Sequence, residues 1–293
     1  MDIVLIFNGL GNQMSQYAFY LAKKKRNPHT KFLHYPDWGT CQHNGYELDK
    51  LFGIKKQNGE KSILGRLYKW YGWSEVCDSR KRHWLRVIFK KIPLNRIKER
   101  RYDFDQERLD NGGKGIHFYY GGWHCPNYLK DVEQEVRKAY RFDESQLNED
   151  GKEMLNSIES SESVSLHVRR GDFLTDGFGG ICTVDYYKKA IEYIKERVSD
   201  PVFYVFSDDL EWSRENIKEE KICFVDIHKG KDSWKDMLLI SHCKHHINAN
   251  STFSWWGAWL NDNPGKIVVV PPKFSQKPES GAIYPQEWIR IES

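Results

Sequence analysis

The stretch Val164-Ser165-Leu166-His167-Val168-Arg169-Arg170-Gly171-Asp172 decides the fold predicted for this chain. Its apolar first half predicts a buried β-strand, and the glycine after the two arginines predicts a turn. Strand-like runs follow at residues 202–206, 222–225, 246–249 and 267–270, and helical periodicity lies between them at 187–198 and 232–242. Strands that alternate with helices predict an α/β fold with a parallel sheet. In such sheets, ligands bind beyond the carboxyl ends of the strands.

Arg169 and Arg170 stand where the first of these strands ends, and His167 and Asp172 flank them. Guanidinium groups bind phosphate oxygens through paired hydrogen bonds and stay protonated in proteins. A departing diphosphate needs such groups, because negative charge grows on it as a glycosidic bond breaks. We therefore predict a phosphate site here, with Arg169 acting on the leaving group. Asp172 and Asp176 are candidate bases by position, and His124 is a third candidate because histidine titrates near neutral pH. The alternative is a surface ion pair beside a turn.

Asp208 and Asp209 follow the second strand. Their carboxylates could bind a metal, accept hydrogen bonds from guanine, or cap the next helix. Because no residue separates them, as an Asp-x-Asp metal site requires, we predict no metal site here.

A third polar run follows the strand at 246–249 and consists of Asn250, Ser251, Thr252 and Ser254. Hydroxyl groups at the start of a helix donate to phosphate together with the backbone N–H groups. The alternative is an ordinary helix cap in front of a tryptophan-rich core helix, and both interpretations can hold at once.

The N-terminal segment has a related layout. Residues 2–7 predict a buried strand, residues 14–26 predict a helix, and the turn between them contains Gly9, Gly11, Asn12 and Gln13. A strand, a glycine turn and a helix together aim backbone N–H groups at an anion. The polar segment 143–163 predicts a domain boundary, which gives two domains at residues 1–150 and 160–293.

Composition excludes several classes of protein. The chain has 293 residues, a hydrophobic share of 39% and a mean hydropathy of −0.72. None of its apolar runs approaches the ~18 residues that span a bilayer. The six cysteines include no Cys-x-x-Cys pair, which favours reduced thiols in the cytoplasm over a disulfide framework.

A basic block lies at residues 61–101, where thirteen Lys and Arg stand against three acidic residues. We predict short amphipathic helices for it, with two interpretations left open. The block could dock on an anionic inner-membrane surface that presents a lipid-linked acceptor, or it could be a helical insertion packed on the N-terminal domain. It matches no nucleic-acid recognition motif, so nucleic acid is not a predicted partner.

Four of these motifs resemble, in the same order and at similar spacing, landmarks of the bacterial α-1,2-fucosyltransferases. They are residues 9–14, 167–172, 207–209 and 250–259. Weaker similarities at residues 46–52, 121–128 and 186–191 extend the resemblance over nearly the whole chain. Asn8 and Ser15 depart from the family pattern, which usually has Gly and Phe there, and so does the run His124-Cys125-Pro126.

The resemblance implies a GT-B-like α/β fold in which two Rossmann-like domains face a cleft. It implies inverting transfer of L-fucose from GDP-β-L-fucose to the 2-hydroxyl of a galactose-terminated glycan, without a metal or other cofactor. Trp123 and His124 would bind the acceptor. The donor-binding residues would be Gly9, Gly11, Asn12, Gln13, His167, Arg169, Arg170, Asp208, Asp209, Asn250, Ser251, Thr252 and Ser254.

Two other functions stay open. One is a transferase of the same architecture with another GDP-sugar or another acceptor. The other is a non-enzymatic carbohydrate-binding protein, which the high aromatic content of 14% suggests. A binding protein of that kind has no need of phosphate-binding arginines, so we rank it last.

Overall fold

The computed structural model describes residues 1–35, 44–57, 59–76, 93–110, 113–171, 173, 178–277 and 282–292, with the side chains of 72–76 left out. The chain divides into two compact units, Met1–Arg141 and Phe142–Ser293. Each unit contains a parallel sheet connected through helices. The predicted α/β class with parallel sheets is therefore confirmed.

The first unit is built on a four-stranded parallel sheet in the order β2-β1-β4-β3. All five residues of β1 are buried, as a continuous apolar run in a parallel sheet requires. The elements, in chain order, are β1 (Asp2–Ile6), α1 (Leu10–Arg26), β2 (Lys31–His34), α2 (Leu48–Phe52), α3 (Ile63–Val76), β3 (Leu94–Lys98), α4 (Gln106–Asp110), β4 (Ile116–Tyr120) and α5 (Glu133–Ala139).

The second unit has a six-stranded parallel sheet in the order β10-β9-β8-β5-β6-β7. Tyr186 and Tyr187 of helix α7 are fully buried in its main apolar cluster, together with Leu166 of the central strand. The elements, in chain order, are α6 (Glu149–Glu159), β5 (Ser163–Val168), α7 (Val184–Lys195), β6 (Val202–Ser207), α8 (Leu210–Asn216), β7 (Ile222–Val225), α9 (Trp234–His242), β8 (His245–Ile247), α10 (Thr252–Leu260), β9 (Val268–Val270) and β10 (Ile289–Arg290).

The basic block departs from its prediction. Helix α3 occupies its first part, but Leu94–Lys98 forms a strand that pairs in parallel with β4, where we expected helices throughout. Backbone pairing with β4 and burial of Leu94 override the polar character of the segment. Residues 77–92 lie outside the described part of the chain.

The division between the units falls at Arg141 and Phe142, slightly before the predicted boundary segment. Part of that segment forms helix α6, which belongs to the second unit and buries Leu155 and Ile158. Asn148 caps this helix by accepting a hydrogen bond from the Gly151 N–H at 3.1 Å. None of the described helices is both long enough and apolar enough to cross a membrane.

A buried ion pair joins β1 to α1 in the first unit. The Lys23 ammonium lies 3.3 Å from Asp2 Oδ2, and each side chain is only 1% exposed. Lys23 also donates to the Arg108 carbonyl at 2.8 Å and to the Tyr119 hydroxyl at 2.9 Å. Burial lowers the pKa of Lys23, and the Asp2 carboxylate opposes that shift. Each of the two buried charges is therefore stabilised by the other.

We expect Lys23→Ala to destabilise the protein by about 3–5 kcal/mol, because it leaves the Asp2 carboxylate buried and unpaired. Urea unfolding followed by circular dichroism measures the loss. Lys24→Ala, which removes an exposed lysine of the same helix, is the matched control and should change stability little. Equal unfolding midpoints for the two variants would contradict a structural role for the pair.

Candidate functional site

The strand order of the second unit reverses beside β5. From β5 the chain runs outward to β6 and β7, and it then returns to the other side of β5 as β8. Such a reversal opens a crevice between the carboxyl ends of the two strands, here β5 and β8, and this is where open α/β sheets bind ligands. Arg169 and Arg170 follow β5, and Asn250 to Ser254 follow β8. The topology therefore brings two of the predicted motifs to one crevice.

Two acidic side chains after β6 hold the arginine pair. Arg169 Nη1 lies 3.2 Å from Asp208 Oδ2, and Arg170 Nε donates to Asp209 Oδ2 at 3.1 Å. The backbone N–H of Arg170 donates to Asp208 Oδ1 at 2.9 Å. The arginine side chains stay 31% and 27% exposed, so the ion pairs leave guanidinium surface for a ligand.

Gly171 is part of the same arrangement. A Cβ at this position would lie 2.8 Å from Asp208 Oδ2, so a larger residue would push aside the carboxylate that pairs with Arg169. On the other side of the turn, the Arg170 guanidinium carbon lies 4.1 Å from the ring centroid of Trp212, a cation–π contact. Packing against Trp212 and pairing with Asp209 thus orient Arg170.

Asp209 also caps helix α8. Its Oδ1 accepts a hydrogen bond from the Trp212 N–H at 3.1 Å, while its own N–H donates to the Ser207 hydroxyl at 2.9 Å. Of the three predicted roles for the acidic pair, the contacts show capping by Asp209. Holding the arginines is a further role that the sequence did not predict. Among the described residues, no three His, Cys, Asp or Glu side chains form a cluster suited to a metal ion.

His167 links the two motifs at the crevice. Its Nδ1 lies 3.0 Å from the Ser254 hydroxyl of helix α10, and its carbonyl accepts a hydrogen bond from the Tyr187 hydroxyl at 3.1 Å. Burial, and to a lesser extent the positive charge of Arg169, lowers the pKa of His167 to about 3. The imidazole is therefore neutral at physiological pH.

The Asn250 side chain fixes the neighbouring loops. Its Nδ2 donates to the carbonyls of Phe178 at 3.0 Å and Phe274 at 2.9 Å, and its Oδ1 accepts from the Cys182 thiol at 3.4 Å. Ser251 caps helix α10 by accepting from the Phe253 N–H at 3.3 Å, and Thr252 is the first residue of that helix. The helix buries its tryptophans, as the capping interpretation expects.

The glycine turn lies in the first unit and is shorter than predicted. Helix α1 begins at Leu10, so Gly11, Asn12 and Gln13 are in its first turn, and Gly9 is the N-cap. Asn8 has a φ of 64°, a left-handed conformation that Gly adopts freely and that Asn tolerates. That conformation explains how Asn can stand where the bacterial fucosyltransferases usually have Gly.

The Gln13 amide connects this turn to a second loop. Its Nε2 donates to the carbonyls of Asn8 at 2.7 Å and Gly45 at 2.6 Å. Its Oε1 accepts from the Glu47 N–H at 3.0 Å. Gln13 therefore positions the turn, and its amide is already engaged by backbone groups.

The predicted acceptor residues follow β4. Trp123 has a φ of 55° and packs its ring against Phe19, with ring centroids 4.2 Å apart, so it belongs to the core of the first unit. Burial lowers the pKa of His124 to about 3. This low pKa argues against His124 as a general base, since an effective base has a pKa near the working pH.

Glu99, which the sequence interpretation missed, shapes the loop that carries these two residues. Its Oε2 accepts from the Gly122 N–H at 2.7 Å. Burial raises the pKa of Glu99, and the N–H groups of Trp123, Gly122 and His124 oppose that shift. Its signal in the sequence is that Glu99 is one of only three acidic residues in the basic block. Asp172 and Asp176, the candidate bases predicted by position, lie outside the described residues.

Comparisons with known proteins show the family of this chain. Glycosyl transferase family 11 matches residues 78–292. The alpha-1,2-colitosyltransferase of Escherichia coli is 32% identical over 308 residues, with 100% of each chain covered. The O-antigen biosynthesis glycosyltransferase WbnK of Escherichia coli is 37% identical over 309 residues, which cover 97% of this chain and 98% of that protein. The chain belongs to glycosyl transferase family 11.

A solved structure supports the fold of this family 11 member. The fucosyltransferase NodZ from Bradyrhizobium aligns with a TM-score of 0.56 at 14% identity, over 93% of this chain and 96% of that one. At that identity, the likeness concerns the fold alone. The predicted GT-B-like class is confirmed, as is the resemblance to the α-1,2-fucosyltransferase family.

For the acidic pair of this glycosyltransferase, we expect Asp209→Ala to cost about 1 kcal/mol through loss of the α8 cap. Asp209→Asn should retain most of that stability, because its side-chain oxygen still accepts from the Trp212 N–H. The melting temperatures of both variants are compared with that of Glu211→Ala, which alters an exposed residue in the same helical turn. Equal melting temperatures for Asp209→Ala and Glu211→Ala would show that the cap does not stabilise the protein.

Proposed function

We propose that this glycosyltransferase moves L-fucose from GDP-β-L-fucose to the 2-hydroxyl of a galactose-terminated glycan, with inversion at the anomeric carbon. The observation that carries the proposal is the arginine pair, held by Asp208 and Asp209 at the crevice beside β5. The names of the full-length relatives support α-1,2 transfer of a sugar into an O-antigen. A colitosyl donor is the second candidate, because one of those relatives is a colitosyltransferase.

The proposed chemistry is stabilisation of a departing diphosphate. Arg169 and Arg170 would pair with the phosphate oxygens as charge develops, and they need no reorganisation because Asp208 and Asp209 already orient them. The hydroxyls of the run at 251–254 and the N-terminus of helix α10 would add hydrogen-bond donors. We propose that these groups supply the positive field without a metal or other cofactor. Asp172 stays our candidate for the base.

In the first unit, the turn with Gly9, Gly11 and Asn12 would approach the donor through its backbone. Gln13 would act by holding that turn, since its amide is engaged by the carbonyls of Asn8 and Gly45. His124 would contact the acceptor as a neutral group, and Trp123 would support it from the core.

A donor panel tests the proposal. Purified protein is incubated with GDP-fucose, GDP-colitose, GDP-mannose or UDP-galactose and a set of β-galactosides, in excess EDTA. We expect turnover with GDP-fucose and an α-1,2 linkage by NMR. Turnover only with GDP-colitose would select the second candidate, and loss of turnover that Mn²⁺ restores would refute metal independence. No product with any donor would count against the transferase assignment.

We expect Arg169→Ala to lower kcat by roughly 10²-fold or more, the usual effect of losing one donor that stabilises a transition-state charge. Arg169→Lys should recover little activity, because a compact ammonium cannot form the paired hydrogen bonds of a guanidinium. Steady-state kinetics measures both variants beside Arg197→Ala, a control at an exposed arginine of the same unit. Near-normal turnover of Arg169→Ala would remove the arginine from the mechanism.

Helix α3 offers a surface for the proposed membrane contact. Ile63 is 85% exposed and Trp70 is 54% exposed, and Arg66 between them is also exposed. These three residues lie on one helical face, while Tyr68 is buried in the core of the first unit. The helix thus packs on its unit and also presents an apolar, basic stripe. We propose that this stripe docks a cytoplasmic enzyme on the inner membrane surface beside a lipid-linked acceptor.

Co-sedimentation with vesicles tests that docking. We expect binding to phosphatidylglycerol vesicles, little binding to phosphatidylcholine vesicles, and release at high salt, because the attraction of lysine and arginine to anionic lipid is screened. The double variant Arg66→Glu/Trp70→Ser should bind less, whereas Lys152→Glu, on an exposed face of the second unit, should bind like the wild type. Equal recovery in every supernatant would refute the contact.

A further inference from the structure

The side-chain amide of Asn248 is buried without a hydrogen bond. The residue is 1% exposed, and neither its Oδ1 nor its Nδ2 has a partner. Among the described residues, no other asparagine or glutamine is in this state. A buried donor or acceptor left unpaired costs about 1–3 kcal/mol, so a sequence that retains such an amide requires a reason.

Asn248 lies at the crevice beside β5. Its backbone N–H donates to the Val269 carbonyl at 2.9 Å, which continues the β8 ladder by one residue. Since Leu166 pairs with Ile247, Asn248 stands opposite His167, at the carboxyl ends of β5 and β8.

The amide and the His167 imidazole share one face of the sheet. The side chains of Ser165 and His246, two residues earlier on each strand, meet at 2.8 Å. Side chains alternate between the faces of a strand, so those of His167 and Asn248 lie on that same face. It is the face covered by helix α10, whose Ser254 hydroxyl bonds His167.

Neighbouring asparagines show what a structural amide looks like in this unit. Asn261 donates to the carbonyls of Ser241 at 2.8 Å and Cys243 at 2.9 Å, and its Oδ1 accepts from the Asn263 N–H at 3.1 Å. The Asn250 amide likewise has protein partners for both of its ends. Asn248 differs from both, although Asn250 is only two residues further along the chain.

We propose that Asn248 is a donor-contacting residue whose amide pairs with the nucleotide part of the donor. An amide offers an acceptor and two donor hydrogens side by side, which complements a purine edge or a pair of ribose hydroxyls. This inference rests on the proposed function, which places a nucleotide sugar in the crevice. Asn248 would then add recognition of the nucleotide to the phosphate binding by Arg169 and Arg170.

Replacing the amide by an apolar side chain of similar size separates binding from stability. In Asn248→Leu, the unpaired amide disappears, so the ligand-free protein should melt at the same or a higher temperature. The Kd for GDP, measured by calorimetry, should rise about tenfold or more, since each buried pairing lost is worth roughly a factor of ten. Asn261→Leu is the matched control, and it should lower the melting temperature without changing the Kd.

Comparing the binding of GDP and ADP shows which part of the nucleotide the Asn248 amide contacts. If the amide pairs with the base, Asn248→Leu raises the Kd for GDP and leaves the Kd for ADP, which is already higher, unchanged. If the amide pairs with the ribose, the two Kd values rise by the same factor. Either result supports the proposal. An unchanged Kd for GDP in Asn248→Leu overturns it, even if the KM for GDP-fucose rises, because the contact would then be with the sugar. Asn248→Ala, measured in the same way, serves if the leucine variant does not fold.

The wild-type measurement distinguishes this inference from the function on which it rests. Wild-type protein that binds no GDP contradicts the proposed function itself. Wild-type protein that binds GDP and transfers fucose, beside an Asn248→Leu variant with the same Kd, refutes only the role of Asn248.

Discussion

Two ion pairs, Arg169–Asp208 and Arg170–Asp209, hold two adjacent arginines at the carboxyl ends of β5 and β6. Neighbouring guanidinium groups repel each other, and Val168 and Ser207 lie side by side at the ends of these strands. The carboxylates of Asp208 and Asp209 follow Ser207 directly, so the parallel register itself places them beside Arg169 and Arg170. The acidic pair neutralises the repulsion in the ligand-free protein, and it leaves about a third of each arginine side chain exposed. Side-chain conformations are thereby fixed before any phosphate arrives, which is how preorganised charge becomes effective.

Several polar residues at the two sheet edges hold backbone segments in place, and this distinguishes them from groups available to a ligand. Gln13 and Asn250 each bond carbonyls from two other segments of the chain, so their amides fix loop geometry. Glu99 does the same for the loop after β4 through the Gly122 N–H. Asn248 is the contrasting case, because its amide has no such partner. A polar motif at the ends of the strands thus contains groups that position the backbone and groups that are left for recognition. Their hydrogen-bond partners show which group is which.

The sequence could predict the second unit closely, because parallel strands buried on both faces read as continuous apolar runs. All five strand-like runs there became strands, with ends shifted by at most two residues. The edge strand Leu94–Lys98 was missed because its sequence, Leu-Asn-Arg-Ile-Lys, lacks the apolar–polar alternation typical of a strand and lies inside a basic segment. Its pairing with β4 outweighs local propensity. For the site, motif positions after strands predicted which side chains gather beside β5. Local sequence pattern could predict neither the unpaired amide of Asn248 nor the contact between Glu99 and Gly122. Both depend on how segments distant in the sequence pack together.

The charge beside β5 comes from the arginine pair and from the acidic pair that holds it. Guanidinium groups stay protonated in proteins, and burial holds the pKa of His167 at about 3, so its imidazole stays neutral. In the first unit, burial lowers the pKa of His124 to about 3 as well, so this imidazole is also neutral near pH 7. If the transfer rate depends on pH between about 5 and 8, these histidines cannot be the cause. Such a dependence would instead report the group that takes the proton from the acceptor hydroxyl. In the proposed reaction, Arg169 and Arg170 would supply the positive charge, and proton transfer would be left to a carboxylate or to water.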